Sequence, residues 1–115
     1  MQTNIIITLQ VEGLHCWPDA KIFLPQVSYL SDLHRHIFYI TLKKRVFHDD
    51  RDVEFINFKH LVLDYLKEKY FDEYTKCHLF EHLSCEMLAN ELLNEFNCLY
   101  CSVMEDNENG AEIIK

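Results

Sequence analysis

Little in this chain marks a boundary. Its 115 residues include only two glycines and two prolines, and no linker, internal repeat or low-complexity tract interrupts them. A chain of 13.8 kDa without a linker has room for one hydrophobic core, so residues 1–115 are expected to form a single domain. Long apolar runs are missing as well. Ile5-Ile6-Ile7 is broken at Thr8 and Gln10, far short of the ~20 residues of a membrane span. It has no basic flank and no small-residue cleavage site, so neither a membrane helix nor a signal peptide is expected. Positive charge is scarce: 11 Lys and Arg face 19 Asp and Glu, for a formal charge of −8. Lys43-Lys44-Arg45 is the only basic run. An acidic chain repels phosphate backbones, which argues against nucleic acid as a partner. The five cysteines, Cys16, Cys77, Cys85, Cys98 and Cys101, are an odd number without a secretory signal. They read as reduced thiols of a cytoplasmic protein. Against these absences stand 49% hydrophobic and 26% charged residues, a globular composition that excludes wholesale disorder. Seven histidines are the other feature of note.

Residues Thr3 to Val11 alternate with a period near two and predict a strand, with Gly13 beyond it marking a bulge or a close backbone approach. Pro18 and Pro25 bracket an irregular segment. His34 to Arg45 is rich in β-branched and aromatic residues and predicts a second strand. His48 to Asp52 is a polar turn. A helix is expected from about Phe58 to Tyr70, with Leu61, Val62, Tyr65 and Leu66 at helical spacing. Phe71 to Leu83 fits neither period. Ser84 is a suitable N-cap for a second helix with Met87, Leu88, Leu92 and Phe96 on one face. Cys98 to Glu105 reads as a third strand, Asp106 to Gly110 as a turn, and Ala111 to Ile114 as a fourth strand. The order β-β-α-α-β-β predicts an α+β fold: a four-stranded antiparallel sheet with two helices on one face.

His34-Arg35-His36 opens the second strand. Residues i and i+2 share a face, so the two imidazoles can chelate one metal, although the pair also fits two polar side chains at an exposed strand end. His15, at the end of the first strand, lies beside them if the two strands pair antiparallel. Three histidines leave a fourth coordination position open, which is the layout of a catalytic zinc. Glu105 closes the third strand. A carboxylate there needs a partner, such as a ring edge bearing two adjacent N–H donors, unless it is simply an exposed strand terminus. Trp17, next to His15, is either the stacking wall of a ring pocket or a packing anchor. Cys85, Cys98 and Cys101 occupy core-like positions, and His48-Asp49-Asp50 reads as a solvated turn.

Taken in order, Val11-Glu12-Gly13-Leu14-His15, Leu33-His34-Arg35-His36, Val53 to Lys59, Ser84-Cys85-Glu86-Met87-Leu88-Ala89 and Val103-Met104-Glu105 resemble the successive motifs of the 6-pyruvoyl- and 6-carboxy-tetrahydropterin synthases. They cover nearly the whole chain. The resemblance implies the tunnel fold (T-fold), with zinc (Zn2+) held by His15, His34 and His36. It places Glu105 as the anchor of a pterin ring and matches Glu86 to a second family glutamate, where helix capping is the alternative role. It also implies a homo-oligomer with sites between subunits.

The chain departs from the family where the chemistry is done. Leu30 occupies the position of the family's basic cysteine, Arg35 replaces a glycine, and the Asp-His pair before the second helix has no clear counterpart. Cys16, His78 and His82 are the nearest substitutes. Cations for a triphosphate are few: Arg35 is expected on the opposite face, and Lys21 and Lys43 are less clear candidates. Two readings follow. One is a zinc-dependent carbon–oxygen lyase acting on a reduced pterin, as in tetrahydropterin or queuosine biosynthesis. The other is a degenerate T-fold protein that binds a pterin, purine or purine nucleotide without turnover. A third, structural, reading leaves the histidines only to hold zinc.

Overall fold

Apolar alternation from Ile5 onward becomes β1, Thr3–His15, in a computed structural model that describes residues 1–115. It pairs antiparallel with β2, His34–Val46, over the full length of both, from Thr3 opposite Val46 to His15 opposite His34. Between them the chain forms a short helix α1, Ala20–Phe23, and a 3-10 segment, Pro25–Ser31. Gly13 lies within β1, and the close-approach reading holds there. A Cβ would lie 2.5 Å from the Phe80 ring and 2.8 Å from that of Phe38, so only glycine admits both rings.

Helix α2 spans Phe55–Tyr70, three residues longer at its start than the spacing predicts. Glu54 is the reason. Its carboxylate accepts from Ile56 N at 2.9 Å and Asn57 N at 2.8 Å, an N-cap in which the two N–H groups hold the carboxyl below its ordinary range. Phe58, Val62 and Leu66 form its buried row, whereas Leu61 faces solvent. Helix α3, Cys85–Glu95, is capped as expected, with Ser84 Oγ accepting from Met87 N at 3.1 Å. Met87 itself is 51% exposed. The buried face is Leu88, Ala89, Leu92 and Leu93, because Met87 stands one position off that row.

The expected four-stranded antiparallel sheet is instead six-stranded and mixed, and the α+β class stands. The unassigned segment after α2 supplies β3, Phe71–Asp72, and β4, Cys77–Glu81. Strand β5, Tyr100–Glu105, and β6, Asn109–Ile114, complete the order β3-β4-β1-β2-β5-β6. Strand β4 runs parallel to β1 through only three residue pairs, with a register shift at Leu14/His15. So short a contact leaves no period in the sequence. The β5–β6 turn places Asp106 and Asn107 at φ 53 and 57, the left-handed geometry that Asp and Asn tolerate.

Ile7, Leu9 and Val11 of β1, Phe38, Ile40 and Leu42 of β2, and Cys101 and Val103 of β5 share one core with the buried rows of α2 and α3. Both long helices therefore cover the same sheet face. All five cysteines are free, and only Cys16 is not buried. Burial pushes the Cys85 and Cys101 thiols up to about 12, leaving them inert packing groups. No helix is long and apolar enough to cross a membrane.

Glu91 fastens the two helices to each other. It accepts from Tyr65 Oη at 2.8 Å, Tyr70 Oη at 2.5 Å and Lys69 Nζ at 3.0 Å. Burial opposes its ionisation, but the bonds from Tyr70, Lys69 and Tyr65 outweigh that and hold its carboxyl below the ordinary carboxylate range. Because the folded value is depressed, the stabilisation is complete above the unfolded value and is lost as pH falls through the folded one. Glu91→Gln is expected to destabilise the protein by about 1–3 kcal/mol at neutral pH. Urea titrations of both forms should converge at acidic pH, and a gap that does not narrow there would assign the loss to packing.

Candidate metal centre

The rows of side chains that build the core do not stop with it. In β1 the inward positions Ile7, Leu9, Val11 and Gly13 lead to His15. In β2, Leu42, Ile40 and Phe38 lead to His36 and His34, and in β5, Cys101 and Val103 lead to Glu105. Strand alternation keeps all of these on the helix-covered face, and the antiparallel register brings their ends together. One ligand atom from each of His15, His34 and His36 lies within 4.8 Å of the others. The ring centroids are 4.6 Å apart for His15–His34, 5.3 Å for His15–His36 and 5.0 Å for His34–His36. The edge-on ring of Phe38 lies beneath His15 and His36, at 5.1 and 5.8 Å.

Each imidazole is held through Nδ1. His15 Nδ1 lies 3.0 Å from Leu83 O, His34 Nδ1 2.8 Å from Asp32 O, and His36 Nδ1 2.7 Å from Asp106 Oδ2. These oxygens only accept, so Nδ1 carries the hydrogen and the Nε2 lone pair is left for a metal. His15 Nε2 is buried and has no hydrogen-bond partner. Glu105 Oε2 lies 2.7 Å from it, close enough to pair with the ring when that nitrogen is protonated. A carboxylate oxygen that close to a ring nitrogen faces either a proton or a metal ion, and a divalent ion held by the three rings would take the place of the proton. Three imidazoles held through Nδ1 are a donor set that suits zinc.

Glu105 Oε2 also lies 3.7 Å from His36 Nε2. The histidines, His15 foremost, hold the Glu105 carboxyl below its ordinary range against the opposing effect of burial. Burial alone would depress His15, yet the Glu105 carboxylate and the Leu83 carbonyl raise it.

Beside the triad is a cavity of about 540 Å³. It gathers most of the residues singled out from sequence: His15, His34, Glu105, Glu86, Trp17, Cys16, His82 and Leu30 all line it. Cys16 reaches it because β1 ends at His15, so the alternation that would turn its side chain away no longer applies. Leu30 is placed by a bond from Trp17 N to its carbonyl, 2.6 Å. Trp17 stacks on Phe23 with centroids 6.4 Å apart. His78 is elsewhere: it lies against Phe80 and Phe71, with Nδ1 3.1 Å from Glu12 O. Arg35 faces away and pairs with Glu12 at 3.0 Å, while Lys43 lies over the Tyr100 ring. No lysine or arginine lines the cavity. Ser84, Cys85 and Met87 line it without having been singled out for it, and the supports at Leu83, Asp32 and Asp106 had no sequence signal beyond adjacency to a candidate.

No protein-family model matches the chain, and no curated protein is significantly similar to it.

Proposed function

We propose that this chain is a zinc-dependent, tetrahydropterin synthase-like protein of the T-fold type that acts on a reduced pterin. The observation that carries the reading is the convergence of His15, His34 and His36, each held through Nδ1, beside a cavity lined by Glu105. Bound zinc would supply a Lewis acid for oxygens on the substrate. Glu105 offers two carboxylate oxygens to the amino-pyrimidinone edge of a pterin. Trp17 provides an aromatic wall, and Glu86 an acceptor in the first turn of α3. Cys16 and His82 are the cavity residues able to move a proton at the site. The exposed edges of the sheet, β3 and β6, fit association into a homo-oligomer.

One observation favours a second reading, in which the same site holds a pterin or purine-like ligand without turnover. Leu30 lines the cavity at the position of the family cysteine, and no cation is there to receive a triphosphate. Incubation with dihydroneopterin triphosphate and product chromatography separates the two. Product formation supports the lyase, whereas intact substrate with retained pterin binding supports the binder. In either case Glu105→Ala is expected to weaken pterin binding at least about tenfold while zinc stays bound. Unchanged affinity would remove Glu105 as the ring anchor.

A further inference from the structure

We propose that Asp106 is a positioning residue of the metal centre, fixing through His36 the ring tautomer that can bind a metal. The inference rests on the metal reading of the triad and not on the identity of the ligand in the cavity. Asp106 Oδ2 lies 2.7 Å from His36 Nδ1, and its Oδ1 accepts from Ile37 N at 3.0 Å. Its own N–H donates to Ile37 O at 2.8 Å. The carboxylate is thus pinned by both oxygens to the consecutive residues His36 and Ile37, and its backbone is tied to the same strand.

His15 and His34 receive the corresponding support from main-chain carbonyls, which no side-chain substitution removes. His36 alone depends on a side chain. It also has a competitor, because Glu105 Oε2 lies 3.7 Å from His36 Nε2. Consecutive residues therefore place a carboxylate at each end of one imidazole. The nearer, Asp106, holds the hydrogen on Nδ1. Without it Glu105 is the only anion beside the ring and draws the hydrogen to Nε2, the form that has no lone pair toward the metal.

Asp106→Asn keeps the left-handed backbone that residue 106 adopts. Its single oxygen cannot serve both Ile37 N and His36 Nδ1. Asp106→Gly removes the acceptor altogether and tolerates the same backbone. Two measurements test the proposal. The first is a long-range proton–nitrogen correlation of the metal-free, histidine-labelled protein at alkaline pH. His36 is expected as the Nδ1–H tautomer in the wild type and as Nε2–H in the variants. The second is zinc affinity by chelator competition, expected to fall about 10–100-fold while the melting midpoint of the metal-free protein changes little. An unchanged His36 tautomer, or an affinity within about twofold of wild type, overturns the proposal. A purely structural role would instead lower the melting midpoint and leave the tautomer as it was. A wild-type protein that binds no zinc would remove the metal reading, while the tautomer comparison would still decide what Asp106 does to His36.

Discussion

His15→Ala is expected to take the zinc content of purified protein from about one ion per chain to essentially none. His15 is the one buried member of the triad, at 8% exposure. Leu83 O holds its Nδ1, so its Nε2 has little freedom to be replaced by a side chain from elsewhere. Two imidazoles and water make a far weaker site than three, and the Ala variant leaves only the i, i+2 pair of β2. Elemental analysis after gel filtration reads the result. His34→Ala, at the more open strand end, gives the same comparison with less loss of packing. Stoichiometric zinc in both variants would sink the triad as the metal centre.

The second large effect falls on Phe38. It is 1% exposed and sits at the crossing of core and site, 5.1 Å from the rings of both Phe80 and His15 and 5.8 Å from that of His36. Phe38→Ala leaves a void in a packed interior and is expected to destabilise the protein by about 3–5 kcal/mol, a large part of the roughly 5–15 kcal/mol of a typical domain. The void opens directly under the rings of His15 and His36. Zinc affinity per folded molecule should fall along with the urea midpoint. A stability loss with zinc affinity intact would show that the histidines are braced by their Nδ1 partners alone.

Both predictions draw on how far the site could be read from sequence. His15, His34 and His36 were legible because the i, i+2 spacing of His34 and His36 puts both on one strand face, and antiparallel pairing brings the end of the first strand beside them. Glu105 was legible as a carboxylate closing an apolar strand, where a charge needs a partner. Strand β4 was not, since its five residues carry no period and it pairs with β1 in the parallel sense through a brief contact. Two capping details divide the same way. Ser84 announces α3 by residue type, whereas Glu54 lengthens α2 through a carboxylate less commonly found at that position.

The α+β class, the two long strands, the two long helices and the histidines at the ends of the strands were all readable along the chain. Each of these follows from local spacing and residue type. Folding in three dimensions is what adds β4 to the sheet, gathers Cys16, Leu30 and His82 but not His78 around one cavity, and sets Asp106 against His36. Those relations depend on contacts between residues distant in the chain, such as the 70-residue separation of His36 and Asp106. Spacing along a chain cannot encode which distant atoms the packed core brings within bonding distance.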